Sequence, residues 1–243
     1  MLSEPLFLIL ALCIVTLGTA LQGLIGFGMA IVAAPLLILI DPGYLPGPIL
    51  FFGLLLSIFN TLRYRYQINW LNVKVALLGR ALGSMLAIYV LSLLPRTFFS
   101  IGFAIIIIAS VLLTYRQIKI PYSQHSLFIG GFFSGLMGTT TSIGGPPIAL
   151  VYQYRHPTQA RSELGLFFLV GTVISLLLLV LSGHYSYTQW QLTVPLLPAV
   201  AIGFIASVFL DKHFKAHYLK PVASLLSLIA GLIVLTKAIL ALN

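Results

Sequence analysis

The sequence predicts an all-α protein that crosses a lipid bilayer several times and contains two related halves of opposite orientation. Three observations lead to this prediction: the chain is 60% hydrophobic, only 7% of its 243 residues are charged, and a glycine motif recurs in the second half. Soluble domains carry roughly 25% charged residues, so these side chains are too few to cover a water-facing surface. Lipid must therefore surround most of the chain, which we expect to form one membrane domain.

Long apolar segments predict the individual helices. A helix needs ~20 apolar residues to span the hydrocarbon core, and six segments are long enough to do so alone. Segments 28–40 and 144–154 are too short, and each follows a glycine-rich break. We expect each of them to form a bent or re-entrant hairpin with the segment before it, which gives about 8–10 transmembrane segments. The apolar segments are 5–26, 28–40, 44–62, 70–93, 97–115, 126–141, 144–154, 164–183, 190–210 and 217–240.

The basic residues between these segments predict the orientation. If each hairpin returns to the side from which it enters, ten Lys and Arg residues collect on one face and two on the other. Basic residues concentrate in cytoplasmic loops, so both termini are predicted to lie outside. The net charge of +9 then faces lipid headgroups, and we expect no nucleic-acid partner. One face carries Arg63, Arg65, Lys74, Arg116, Lys119, Arg155, Arg161, Lys212, Lys215 and Lys220, and the other carries Arg96 and Lys237.

An internal repeat divides the chain into 1–120 and 121–243. Gly23-Leu24-Ile25-Gly26 recurs as Gly135-Leu136-Met137-Gly138 at an offset of 112, and Pro35 and Pro147 keep that offset. Each half then holds a hairpin and three spans, an odd number, so the second half enters from the opposite face. Inverted repeats of this kind are common in transporters. Chance similarity between leucine- and glycine-rich segments is the alternative. At an offset of 120, Trp70 matches Trp190 and Gly83 matches Gly203.

The two glycine-rich breaks are the predicted binding site. A half-helix that begins inside the membrane presents free amide groups and the positive end of its dipole, a combination that favours anions. Alternatively, the glycines only permit close helix packing and the hydroxyls bond to backbone carbonyls. The first break offers Gln22, Gly26, Phe27 and Gly28, and the second offers Thr139, Thr140, Thr141, Ser142, Gly144 and Gly145.

Arg80 lies near the middle of the predicted span 70–93, where a charged side chain is costly. It therefore indicates a cavity, a partner or a bound anion, although a structural arginine bonded to carbonyls of a broken helix is the alternative. The four acidic residues offer little compensation for this charge, because all of them lie at predicted segment ends. For the same reason the sequence does not support a buried proton relay. The acidic residues are Glu4, Asp41, Glu163 and Asp211.

Other chemistry finds little support in the sequence. The single cysteine, Cys13, excludes an intrachain disulfide and a cysteine-based metal cluster. The sequence has no HExxH motif, and its serines have no mid-membrane histidine partner. We therefore expect no catalytic residues, no metal and no cofactor.

The broken motifs resemble those of the TauE/SafE sulfite exporter family, also called the 4-toluene sulfonate uptake permease family. The resemblance rests on Gly23-Leu24-Ile25-Gly26-Phe27-Gly28 followed by Pro35, and on Gly135-Leu136-Met137-Gly138 followed by Gly144-Gly145-Pro146-Pro147. It implies a permease in the inner membrane of a bacterium or archaeon that carries sulfite, thiosulfate, sulfonates or similar anions. Family members often have richer glycine runs where this chain has Phe27 and the threonines 139–141.

Together these observations predict a carrier for a small anion, with Arg80 supplying positive charge between the two breaks. We expect alternating access by rocking of one half against the other. An anion channel with the same pore and a non-transporting membrane scaffold or assembly factor are the alternatives. The expected partners are the anion and the bilayer, and a homodimer is left open.

Overall fold

The computed structural model describes residues 4–25, 29–64, 68–93, 96–115, 120–210 and 219–240, and it is 89% helical. Within these ranges no strand is present, which confirms the all-α prediction. The helices are α1 (Glu4–Ile25), α2 (Met29–Ile40), α3 (Gly47–Tyr64), α4 (Trp70–Leu93), α5 (Arg96–Tyr115), α6 (Gln124–Thr141), α7 (Gly145–Tyr152), α8 (Pro157–Leu181), α9 (Tyr187–Thr193), α10 (Leu197–Leu210) and α11 (Leu219–Leu240).

Five stretches in the described residues are long and apolar enough to cross a membrane. This finding confirms a multi-pass membrane protein. The predicted spans 97–115 and 217–240 correspond to α5 and α11, which have 20 and 22 residues. The five stretches are Pro5–Leu24, Pro42–Arg63, Trp70–Leu93, Thr158–Leu181 and Tyr187–Leu210.

The two short segments form the predicted hairpins. Helix α2 has 12 residues and α7 has 8, so at 1.5 Å per residue neither is long enough to cross the bilayer. Each packs back along the helix before it. A Cβ at Gly18 of α1 would lie 3.3 Å from the Ala33 Cβ of α2, and a Cβ at Gly130 of α6 would lie 2.9 Å from Val151 of α7. Each short helix therefore packs against the long helix that precedes it.

Helices α4 and α6 make the closest contact around the predicted site. A Cβ on Gly79 would collide with the Phe128 carbonyl, and one on Gly131 would collide with the Ala76 carbonyl. Glycines spaced four apart let two membrane helices approach until their backbones touch. This packing fixes Arg80, between Gly79 and Gly83 on α4, directly against α6.

The helix contacts keep the same pattern when each helix is replaced by its counterpart in the other half. Helix α4 packs on α6 as α10 packs on α1, and α11 packs on α2 as α5 packs on α7. Helices α3 and α8 pack on each other, as do α5 and α11. A two-fold relation between the halves would produce this pattern, and the inverted orientation of the halves in the membrane stays a prediction.

Two helices in the second half differ from their predicted boundaries. The predicted span 190–210 is divided into α9, a 3-10 turn at Val194–Leu196 and α10, because a proline within that turn cannot donate to the helical ladder. Helix α8 begins at Pro157, which suits a first helical turn, and not near 164. Glu163 consequently lies inside the helix, fully buried, and not at its start.

Candidate functional site

A cavity of about 60 Å³ lies between the two hairpins. A water needs roughly 10–15 Å³ of such volume, so the cavity has room for several waters or a small ion. Its wall combines residues of both breaks with residues of α3, α4 and α8. The lining includes Gln22, Met29, Ala30, Ile31, Ile49, Leu50, Gly53, Ser57, Arg80, Ser142, Ile143, Gly144, Gly145, Phe168 and Thr172.

Arg80 is the charged residue in this wall, and its side chain is 1% exposed. Its Nη1 donates a 3.0 Å hydrogen bond to the Ser134 hydroxyl, and its Nη2 donates a longer one of 3.5 Å to Thr172. The buried Nε has no hydrogen-bond partner. Among the described residues no carboxylate contacts Arg80. A buried guanidinium without a counter-charge is costly, and an anion in the cavity would compensate it with charge-assisted hydrogen bonds.

Aromatic rings of α8 confine the guanidinium. Its carbon lies 5.1 Å from the centre of the Phe167 ring and 5.6 Å from that of Phe168, close enough for cation–π attraction. Gly171, one turn further along α8, leaves the space that the side chain occupies, because a Cβ there would collide with the Nε and Cδ of Arg80. The orientation of Arg80 is therefore determined by packing as well as by hydrogen bonds.

The second break directs the start of α7 towards the cavity. Ser142 ends α6 in the left-handed conformation, at φ 66°, and its hydroxyl donates to the Pro46 carbonyl at 2.8 Å. Ser134 donates to the Gly144 carbonyl at 2.6 Å, which holds the turn against α6. Since Pro146 and Pro147 lack amide hydrogens, the donors at this helix start come from Gly144 and Gly145. Both glycines line the cavity, and their predicted binding role stays a prediction.

The first break contributes a capping glutamine. The Oε1 of Gln22 accepts a 3.1 Å hydrogen bond from the Met29 amide, which opens α2. The carboxamide oxygen is thereby engaged, and the amide NH₂ group remains as a donor on a residue that lines the cavity. Gly26, Phe27 and Gly28 lie outside the described residues, so their predicted role stays a prediction.

The three predicted threonines direct their hydroxyls to protein atoms. The Thr139 hydroxyl lies 2.9 Å from that of Ser84 and 2.8 Å from that of Ser175. Thr140 and Thr141 donate to the backbone carbonyls one turn earlier in α6, and the Thr141 oxygen also accepts from the Ile143 amide. Within the run 139–142, the cavity lining contains Ser142 alone. A binding role for the threonines stays a prediction.

Several polar residues near Arg80 were missed at the sequence level. Ser134 and Thr172 hold the guanidinium, and Ser57 adds a hydroxyl to the wall from α3. A usable signal was present in α8, where Thr172 and Ser175 are separated by three positions inside a very apolar span. Polar residues at helical spacing within a membrane segment face the helix bundle more often than lipid.

A second polar cluster surrounds Glu163 of α8. This fully buried carboxylate accepts hydrogen bonds from Tyr122 at 2.9 Å, Tyr152 at 2.8 Å and Gln159 at 2.9 Å. Burial, followed by the hydrogen bond to Glu163, raises the pKa of Tyr122 to about 12. The cluster connects α8 with α7 and with the segment before α6.

One comparison with known proteins gives a match. The family model described as "Sulfite exporter TauE/SafE" matches residues 10–235, nearly the whole chain. No curated protein and no solved structure gives a significant match. The matched region includes both breaks, Arg80 and every residue of the cavity wall. The chain therefore belongs to the TauE/SafE sulfite exporter family, whose members are membrane transporters of sulfur-containing anions.

Proposed function

We propose that this protein carries a small sulfur oxyanion such as sulfite, thiosulfate or a short organosulfonate, and that the anion binds in the cavity at Arg80. The buried guanidinium, which no carboxylate of the described residues contacts, carries this proposal. Family membership supports the sulfur chemistry, because the matching model describes sulfite exporters. Alternating access would expose the cavity to one side of the membrane at a time.

The donors around the cavity suit an oxyanion. Arg80 supplies a full positive charge, and each half-helix start adds roughly half a charge through its dipole. Gln22, Gly144 and Gly145 add neutral N–H donors on different sides of the wall. The summed positive charge is enough to balance one or two negative charges, and the small volume of the cavity favours a compact anion.

Export is the proposed direction. In a bacterial or archaeal inner membrane with an inside-negative potential, an electrogenic uniporter moves anions outward without a coupled ion. The driving force is ~2.3 kcal/mol per charge for each 100 mV. Uptake against this potential would require coupling to another ion. The orientation with both termini outside belongs to the same proposal and follows from the ten-to-two distribution of basic residues.

Thermal stability of the detergent-purified protein tests the binding site. Melting is measured with sulfite, thiosulfate, methanesulfonate, sulfate, phosphate and chloride. An anion that binds the folded state stabilises it by about 2.7 kcal/mol at 100 times its dissociation constant. We expect a selective rise with a sulfur oxyanion, absent in Arg80→Gln. Lys74→Gln is the matched control, because Lys74 is an exposed cation on the same helix.

Two results would contradict the proposal. An equal rise in Arg80→Gln and in the native protein would place the anion elsewhere. A panel in which no anion raises the melting temperature would instead favour a scaffold without a binding site.

A further inference from the structure

The buried apolar side chains of the described residues form two large cores that do not coincide with the two halves of the sequence. One core joins α1, α2, α3, α5, α10 and α11, which we call body B. The other joins α4, α6, α7 and α8, which we call body A. Each body therefore contains helices from both halves. Ala33, Phe52, Ile107, Val200 and Val234 belong to the core of body B, and Val73, Leu127, Ile148 and Phe167 to that of body A.

Body A is held together by polar contacts at three depths. At one end Tyr122 and Tyr152 donate to Glu163. In the middle Arg80 of α4 donates to residues of α6 and α8. One turn further, three hydroxyls from α4, α6 and α8 lie within 3.4 Å of one another. With the backbone contact between α4 and α6, these bonds make body A a rigid unit. The three hydroxyls are those of Ser84, Thr139 and Ser175.

The cavity lies on the boundary between the bodies. Body A contributes the charge and most of the polar lining, including Arg80, Gly145 and Thr172, whereas body B contributes Gln22 and a largely apolar wall that includes Ile49. The bodies meet along α3 and α8, where Leu50 packs with residues of α8. A ligand at Arg80 thus touches both bodies.

We propose that alternating access moves body A against body B, and that the anion stays with Arg80 on body A while the body B wall opens and closes. This inference rests on the carrier function proposed above. It replaces the expected rocking of the sequence halves, because that motion would have to separate α4 from α6, whose backbones are in direct contact.

Disulfides distinguish the two motions, in a Cys13→Ser background that removes the native thiol. Ile107→Cys/Gly231→Cys joins α5 to α11 inside body B, where the two Cβ positions lie 3.4 Å apart. Two other pairs join the bodies at opposite ends of α3, because a rotation spares the end at its pivot. The second of them uses Tyr185, which follows α8 and whose amide donates to the Leu179 carbonyl of that helix. Thr61→Cys/Gly165→Cys joins α3 to α8, where a Cβ at 165 lies 3.5 Å from the Thr61 Cα. Gly47→Cys/Tyr185→Cys lies at the other end, 2.9 Å from Cβ to ring Cγ. Disulfides need Cβ separations of about 3.5–4.5 Å, which the pair inside body B nearly meets at 3.4 Å, and the other two pairs bring the chain segments into direct contact.

All three pairs connect one sequence half to the other, so rocking of the halves would be restrained by the pair inside body B, whereas motion of body A against body B would leave that pair at rest. Flux of radiolabelled methanesulfonate, which unlike sulfite does not cleave disulfides, is measured in proteoliposomes before and after oxidation, so that each protein serves as its own folded control. We expect the pair inside body B to keep at least half of its flux. At least one pair between the bodies should lose flux tenfold and recover it on reduction. The inference would be overturned if the disulfide inside body B inhibited transport. It would also be overturned if neither disulfide between the bodies did so. Absent flux in the reduced parent would contradict the carrier function itself.

Discussion

Arg80 of α4 and Ser134 of α6 are joined by a 3.0 Å hydrogen bond in which the guanidinium donates to the hydroxyl. The same hydroxyl donates its own hydrogen to the Gly144 carbonyl at 2.6 Å. One serine thus links the buried positive charge to the turn that begins α7. The two features predicted to attract an anion are therefore positioned by a shared residue.

Ser134→Ala removes this link while leaving the charge in place. We expect the anion concentration for half-maximal thermal stabilisation to rise about tenfold, which corresponds to roughly 1.4 kcal/mol. Ser134→Thr, which restores a hydroxyl, should recover most of the affinity. Ser92→Ala is the control, since this serine of α4 is exposed and its hydroxyl donates to the Ile88 carbonyl of the same helix. Unchanged affinity in Ser134→Ala would show that the serine does not position the site.

Gly171→Ala should displace Arg80 without changing the arginine itself. The added Cβ would occupy the position of the Arg80 Nε and Cδ, and the long side chain has to move away. We expect the anion-dependent rise in melting temperature to disappear. Gly102→Ala on α5 introduces the same methyl group where nothing lies within 4 Å, and it should respond normally to the anion. An equal response of both variants would mean that the orientation of Arg80 is unimportant.

Gly131→Ala tests the contact between α4 and α6. Its Cβ would meet the Ala76 backbone carbonyl, which cannot move without shifting a helix. Overpacking typically costs about 1–3 kcal/mol, whereas alanine in an open helical position gains up to about 1 kcal/mol over glycine. Gly131→Ala should therefore melt at a lower temperature than Gly102→Ala in the same detergent. The reverse order would contradict the close packing.

Tyr122 gives the folded protein a dependence on alkaline pH. Its pKa rises from 10.0 to about 12, so between these values the folded protein keeps a proton that the unfolded chain has released. The contribution of Tyr122 to the free energy of unfolding is therefore fully present below pH 10, and it is lost as the pH rises from 10 to 12. Tyr122→Phe should reduce the fall in melting temperature between pH 10 and 12. The same slope in both proteins would show that Tyr122 ionises normally.

Hydropathy identified the helices because the thickness of the bilayer sets the length of an apolar segment that spans it. It identified the breaks because two apolar segments are too short to cross. It also found Arg80, since an arginine inside an apolar run is conspicuous. Of the ten residues named from the breaks, Gln22, Ser142, Gly144 and Gly145 line the cavity, because a broken membrane helix must line a cavity or be covered by protein.

The directions of side chains were harder to predict. A hydroxyl in a helix can bond to the carbonyl one turn earlier, as Thr140 does, and the sequence does not reveal which choice is made. The burial of Glu163 was also missed. Its phenolic partners Tyr122 and Tyr152 are 41 and 11 residues away, and only the packing of α7 and α8 brings them together.

Potential-driven efflux from proteoliposomes tests the central claim, that Arg80 binds the transported anion, most directly. Vesicles loaded with radiolabelled sulfite or thiosulfate are given an inside-negative potassium diffusion potential. We expect saturable efflux by the native protein and by Lys74→Gln, and at least a hundredfold loss in Arg80→Gln, about 2.8 kcal/mol at 1.4 kcal/mol per factor of ten. Native-rate efflux by folded Arg80→Gln would contradict the account.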